Sequence, residues 1–429
     1  MKTYYNPTKN EWSSLCERPA IKSYNLEELA TQIFTEIQRN GDVAVRKYTN
    51  IFDGVVPDSL KLTEQEITQS AKLIPEELKQ AIQLAKTNIE KFHISQKEAK
   101  SIIETTEGVY CWRESRAIEN IGIYIPGGSA PLFSTVLMLA IPAQIAGCKN
   151  IVLCTPPDKH GKINDAILYA AQLTGIKDIY CIGGIQAIGA MTLGTESVPK
   201  ADKIFGPGNQ YVTAAKQLAL KYGVAIDIPA GPSELLIIAD TTANPEYLAA
   251  DLLSQAEHGS DSQVILLCTE ESLAKATINE VNSQIQDLPR REIAEKALRN
   301  SKIIVFDDLE SCFGLSNQYA PEHLIIACEN AENYTEKIIN AGSVFLGNLS
   351  CESAGDYASG TNHTLPTNGY AKNYSGVSLD SFIRKITFQK ISEKGLQNIG
   401  PAIEIMAESE ELQAHKNAVT IRLKDLNNV

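Results

Sequence analysis

Between residues 25 and 52, NLEELATQIFTEIQRNGDVAVRKYTNIF, apolar side chains return every three or four positions. Leu26, Leu29, Ile33 and Ile37 share one face, which predicts an amphipathic helix. Residues 75–99, PEELKQAIQLAKTNIEKFHISQKEA, repeat the pattern and predict a second helix opening at Pro75. From about residue 118 the pattern changes to short β-branched runs: IGIYIPGG (121–128), NIVLCTPP (150–157), DIYCIGG (178–184), KIFGPG (203–208) and ELLIIAD (234–240). Most end in Gly or Pro, with helical patterns between many of them. That alternation predicts an open, mostly parallel α/β sheet.

The chain then carries a second set: a helix over 245–258, strand 263–269, a helix over 271–286, then apolar runs at 302–308, 324–328 and 342–347. The predicted fold class is therefore α/β, with two Rossmann-like open-sheet lobes. The expected divisions are a helix-rich region over 1–117, part of which packs with the second lobe; a nucleotide-binding lobe over 118–240; a second lobe over 241–380; and a C-terminal tail over 381–429 made for packing on another surface. Residues 348–380 are rich in Gly, Ser and Asn with little regular pattern, and structureless loops of that length usually carry function.

Composition narrows the classes. The chain has 429 residues, 43% apolar and 21% charged, with a formal charge of −13. The length calls for more than one core. The acidic balance argues against nucleic acid and anionic membranes as partners. The apolar run STVLMLAIPAQIAGC is interrupted by Pro142 and Gln144, and the N-terminal stretch lacks the apolar core of a signal peptide. Nine scattered cysteines without a C-x-x-C pair read as reduced thiols and predict a cytoplasmic protein.

The candidate chemistry lies at three kinds of place. Gly127-Gly128, Gly183-Gly184 and Gly206-Pro-Gly208 follow apolar strands and precede helices, with Ser129, Gln186 and Asn209 on or near them. Such loops hold phosphate at helix N-termini, although the usual dinucleotide fingerprint is absent, since Tyr211 stands where its third glycine would be. Four of the six histidines, His258, His323, His363 and His415, each lie near a carboxylate or amide. Gln255 and His258 fall three apart at a helix end; in isolation this is as simply a histidine complementing the helix dipole. Asp356 with His363, and Glu410 with His415, read in isolation as solvated groups. Together, Gln255, His258, Asp356 and one of His363 or His415 would give a nitrogen-and-oxygen set without thiolate, suited to a catalytic zinc. Finally, NQYAPEHL sets Glu322 and His323 side by side at the threshold of the apolar run LIIA, an acid–base pair near a sheet edge.

Long blocks in fixed order carry a resemblance: IPGGSAPLFSTVLMLAIPAQIAGC, GPGNQYVTAAK, DIPAGPSELLIIAD, ADLLSQAEHGSDSQVILL, NQYAPEHL, AGSVFLGNLSCESAGDYASGTNHTLPT, YSGVSLDSFIRKIT and AHKNAVTIR. From about residue 118 to 422 the chain strongly resembles the histidinol dehydrogenase family. The resemblance implies a zinc-dependent oxidation of L-histidinol to L-histidine by NAD through histidinal, the last step of histidine biosynthesis. It implies Glu322 and His323 as acid–base groups, and zinc on Gln255, His258, Asp356 and His415, the last reaching in from the partner of a homodimer with shared active sites. Substrate contacts are implied for Ser233, His363 and Glu410 besides these residues, and cofactor contacts for Tyr124, Gln186 and Asn209. A zinc hydrolase with Glu322 activating water, or a dehydrogenase of another amino alcohol or sulfonate, stands as the alternative.

Overall fold

The protein is described by a computed structural model over residues 1–19, 26–127, 131–229 and 231–427. The strands, in chain order, begin with β1 (Lys2–Tyr5), then β2 (Ile102–Thr106) and β3 (Val109–Ala117). The first set continues as β4 (Asn120–Tyr124), β5 (Asn150–Thr155), β6 (Asp178–Cys181), β7 (Lys203–Phe205) and β8 (Ala225–Ile226). The second set is β9 (Glu234–Ala239), β10 (Gln263–Cys268), β11 (Lys302–Val305), β12 (His323–Ala327) and β13 (Ser343–Leu346), and β14 (Ile383–Ile391) comes last.

Two compact units divide the chain. One comprises residues 1–96 and 118–382, the other 97–117 and 383–429. The larger unit holds two parallel sheets, ordered β6-β5-β4-β7-β8 and β1-β11-β10-β9-β12-β13. Both are covered on both faces, as the unbroken apolar runs require. In β5, Val152 and Cys154 face a core shared with the helix Leu26–Asp53, while Leu153 faces one shared with Glu76–Ile94 and Phe133–Ala146. In β9, Leu235 and Ile237 face the helices Pro245–Ala256, Glu271–Gln284 and Arg291–Arg299, while Leu236 and Ile238 meet Leu309–Tyr319 and Trp12. Each strand thus supplies two cores by simple alternation. Among the described residues no helix is long and apolar enough to cross a membrane.

Two expectations change. The strand at 234–240, assigned to the first lobe, is a central strand of the second sheet. With every residue of β9 buried, it needs a partner on each side, and β10 and β12 are those partners. The stretch before residue 117 is also not all helical. β1 pairs with β11, and β2 and β3 form a sheet with β14 in the smaller unit, where β3 pairs antiparallel with β14 along nine residues. In VYCWRESRA four consecutive polar residues, Arg113 to Arg116, fall on both faces of a half-exposed strand, so neither a period of two nor an apolar run marks it. Ser129 lies outside the described residues.

One backbone approach in the second sheet bears directly on the site. Gly342 and Ser343 donate from their N–H groups to the carbonyls of Pro321 and Glu322, each at 2.9 Å. A Cβ on Gly342 would stand 2.5 Å from the Glu322 carbonyl oxygen, so only glycine lets the two chains meet here. Gly342→Ala is expected to destabilise the protein by about 1–3 kcal/mol, read as a lower urea midpoint at unchanged slope; an unaltered midpoint would show that β13 yields without cost.

Candidate functional site

Glu322 and His323 stand at the amino end of β12, beside the start of β9. The helix before them, Leu309–Tyr319, ends in Ala320, whose φ of 55° and ψ of 70° is a left-handed conformation for a residue with a Cβ. Such strain persists where the surroundings fix it, and Pro321 then bars any continuation of the helix. The chain therefore delivers both side chains into the interior, 7% and 4% exposed.

Both are held by Glu234, the first residue of β9. Its N–H donates to Glu322 Oε2 at 2.8 Å, and its carbonyl accepts from His323 Nδ1 at 3.2 Å. That bond leaves His323 Nε2 as the free nitrogen; it is buried, makes no hydrogen bond among the described residues, and lies 3.6 Å from Asp356 Oδ1. The Glu234 carboxylate is itself buried and pairs with Arg18 through both Nε and Nη2, while Asn368 N–H donates to it at 2.8 Å. Arg18 also donates to the Tyr319 carbonyl at 2.8 Å and lies 4.0 Å above the Tyr319 ring.

Carboxylates crowd the pocket. His258 Nε2 lies 4.0 Å from Asp356 Oδ2, and one ligand atom each of His258, Glu352 and Asp356 falls within 4.8 Å of the others. Gln255, in the amide orientation that satisfies its neighbours, donates to both oxygens of Glu352, at 3.1 Å to Oε2. That turns the Gln255 oxygen away from Glu352. His363 Nδ1 donates to the Asp356 carbonyl at 2.9 Å and its Nε2 meets Thr135 Oγ1 at 3.0 Å.

The charge states reflect burial and crowding. Burial pushes Glu322 and Glu352 each up to about 8, against the pull of His323. Burial also works against a charged His323, but Glu322, Glu352 and Asp356 outweigh it and hold the imidazole up to about 10. Burial lowers His258 and His363, keeping both neutral and able to donate lone pairs. Against its burial, Asp356 is held below its ordinary range by His323, His363 and His258. The His258 imidazole, neutral beside the carboxylates of Glu352 and Asp356, makes a donor set that fits a divalent cation. An all-N/O set is open to zinc or manganese.

The predicted cofactor residues gather at the carboxyl ends of the first sheet. Tyr124 Oη accepts from Gly184 N–H at 3.1 Å. Gln186 keeps a buried side-chain oxygen without a partner among the described residues. Asn209 caps the helix Gln210–Ala219, its Oδ1 accepting from Tyr211 and Val212. Gly206 (φ 126°) is clamped by the buried pair Lys216–Asp227: Lys216 Nζ donates to its carbonyl at 2.8 Å and Asp227 Oδ2 accepts from its N–H at 2.7 Å. A cavity of about 230 Å³ joins the loop Gly206–Asn209 to Glu322, with Ser233 and His363 also in its wall. The Asn209 cap at a helix start and the unpartnered Gln186 oxygen are polar groups of the kind a dinucleotide uses.

Glu322, His323, Gln255, His258, Asp356, His363 and Ser233 thus come together in the larger unit. Glu410 and His415 belong to the smaller one, where both are exposed, one ending the helix Glu393–Ser409 and the other on Gln413–Asn427. Three residues went unnoticed in the sequence. Glu352 stands four before Asp356 on the short helix Glu352–Tyr357, a same-face spacing that could have been read. Glu234 opens an apolar strand as Glu322 and His323 do. Arg18 carried no local signal.

A sequence model of the histidinol dehydrogenase family matches residues 16–423. The chain is 60% identical over 426 residues to the histidinol dehydrogenase of Bacteroides thetaiotaomicron, covering 99% of this chain and 100% of that one. It is 52% identical to that of Mannheimia succiniciproducens, covering 97% of each. The crystal structure of histidinol dehydrogenase from Elizabethkingia anophelis superposes with a TM-score of 0.98 at 67% identity, over 100% of this chain and 99% of that one.

Removing the Arg18 charge should show how far the site depends on it. Arg18→Met leaves Glu234 buried and unpaired, and is expected to cost about 3–5 kcal/mol of stability by urea unfolding; a cost below about 1 kcal/mol, typical of an exposed ion pair, would overturn that role.

Proposed function

The chain belongs to the histidinol dehydrogenase family, a family of oxidoreductases, and on that premise we propose that it oxidises L-histidinol to L-histidine in two steps, through L-histidinal, with NAD as oxidant and one zinc ion per subunit. The observation that carries the reading is the buried pair Glu322–His323, 3.7 Å apart and next to a nitrogen-and-oxygen donor set.

The chemistry explains a pair. Removing hydride from a carbinol carbon requires that its hydroxyl proton leave as well. An aldehyde has no such proton and must first add water to become a gem-diol, which can lose hydride and proton in its turn. Bound NAD would accept the hydride at each oxidation. Bound zinc, on Gln255, His258, Asp356 and His415, would anchor the amine and imidazole of the substrate and offset the carboxylates that raise the His323 pKa. His323 would then favour its neutral form, and its Nε2, with Nδ1 committed to the Glu234 carbonyl, would take the hydroxyl proton in both oxidations. Glu322, whose pKa of about 8 lets it gain and lose a proton near neutrality, activates the water that adds to the aldehyde. Ser233, His363 and Glu410 complete the contacts to substrate, and Tyr124, Gln186 and Asn209 those to the cofactor.

Glu410 and His415 are proposed to act in the site of a second copy of the chain, making the enzyme a homodimer with shared active sites. All nine cysteines are free thiols, which supports the reducing cytoplasm as its setting.

Mixing histidinol with excess NAD should yield two NADH per histidinol consumed, as the two oxidations require; one or none would defeat the reading. His323→Asn is expected to lose both oxidations, by about 10²–10⁴-fold in kcat, whereas Glu322→Gln chiefly slows turnover of added histidinal. Elemental analysis should find zinc in the wild type and little in His415→Ala. Refolding His415→Ala together with His323→Asn, each inactive alone, should restore about a quarter of wild-type activity if sites are shared between subunits; a mixture that stays inactive would place His415 in its own subunit's site or outside it.

A further inference from the structure

Asp53 ends the helix Leu26–Asp53, and Gly54 (φ 72°) turns the chain directly after it. Every structural consideration disfavours a carboxylate there. The C-terminal end of a helix carries partial negative charge that repels it. The residue is half-buried, and burial pushes its pKa up to about 6. Its hydrogen-bond partner is Gln186, whose Nε2 donates to Asp53 Oδ2 at 3.3 Å. Stability gives no reason for an aspartate at this point, and a carboxylate perturbed without structural benefit is a candidate for function.

Its neighbours say which function. Gln186 lies in the first turn of the helix Gly184–Leu193, whose Gly184 N–H reaches Tyr124 Oη, and the other side-chain atom of Gln186, Oε1, is the buried oxygen without a partner. Two residues beyond Asp53, Val55 packs against the turn after β5, its Cγ1 3.1 Å from where a Cβ on Gly161 would stand. Asp53 therefore stands beside the loops after β5 and β6.

In an open sheet with the order β6-β5-β4-β7-β8, a dinucleotide crosses the carboxyl ends near the point where strand order reverses, and an acid after the strand beside the first one holds the adenosine ribose. That strand is β5. It ends in Thr155, Pro156 and Pro157, none acidic. The next carboxylate, Asp158, turns back on its own loop, accepting from the N–H groups of His160 and Lys162 at 2.8 and 2.9 Å. The ribose acid is missing from its usual place.

We propose that Asp53, brought in by the N-terminal helix, takes that place: its carboxylate accepts hydrogen bonds from the adenosine ribose hydroxyls of NAD and repels the 2′-phosphate of NADP. The assignment rests on the proposed use of a nicotinamide dinucleotide and adds the residue that chooses between the two forms. Asp53 comes from outside the sheet, which explains why no acid sits in the β5 loop.

The test compares the wild type with Asp53→Asn and Asp53→Glu. NADH and NADPH binding is titrated by fluorescence, and kcat/KM is measured for NAD and NADP with histidinol. The wild type should prefer the unphosphorylated form in both assays. Asp53→Asn should move the NAD-to-NADP ratio toward NADP by at least about tenfold, like charges facing each other across a binding site being strongly repulsive, through KM and Kd rather than kcat. Asp53→Glu should keep most of the preference. A ratio within about twofold of wild type in Asp53→Asn, with its circular dichroism unchanged, overturns the proposal, as does a wild type that binds NADH and NADPH equally. Binding preference without turnover of histidinol would instead defeat the substrate reading and leave the Asp53 assignment standing.

Discussion

Glu234 occupies the start of a central strand of the second sheet, 2% exposed, where an ionised carboxylate without a partner would be far too costly. Arg18 is that partner, and the rest of the site depends on the pair. With the side chain fixed, the Glu234 backbone is fixed, and that backbone donates to Glu322 and accepts from His323. The bond at Nδ1 selects the imidazole tautomer and turns Nε2 toward Asp356. Arg18 lies far away in the chain, yet it also ties down Tyr319, the last helical residue before the strained Ala320. One guanidinium thus sets both ends of the turn that presents the acid–base pair.

The pocket around that turn is tuned by an imbalance. Glu322, Glu352 and Asp356 face His323 together, and in their company the imidazole favours the charged form. A base must be neutral to act. On the proposed reading, the same excess of negative charge that would disable His323 as a base draws a dication toward Gln255, His258 and Asp356, so occupancy of the site and readiness of the base would be coupled electrostatically. Glu352 has a further part in this balance: by accepting from the Gln255 amide it leaves that residue only its oxygen to offer elsewhere.

Much of this architecture was legible from residue patterns. The parallel α/β lobes could be read from apolar runs punctuated by Gly and Pro, and NQYAPEHL drew attention because it sets two titratable groups at the start of a strand that proves buried. The rest escaped for physical reasons. Which sheet a fully apolar strand joins depends on its neighbours in space, so 234–239 could not be placed from its own pattern. Arg18 meets Glu234 across 216 positions, and pairing at that distance leaves no trace in local spacing. Glu352 was hidden by its loop-like setting, since residues 348–380 look irregular although 352–357 coil into a short helix. Asp53 resembled any polar residue at a helix end until its partner was known.

The smaller unit is sewn from two stretches far apart in the chain. β2 and β3 are made early, but β3 gains its second neighbour, β14, only when residues 383–391 arrive. During synthesis the outer edge of β3 stays open while residues 118–382 are added, on the order of 13–50 seconds at about 5–20 residues per second. An unpaired edge of that length is a template for pairing with other chains. In the nascent chain, then, the slow event is a wait, and its length is set by how far β14 lies from β3 along the sequence.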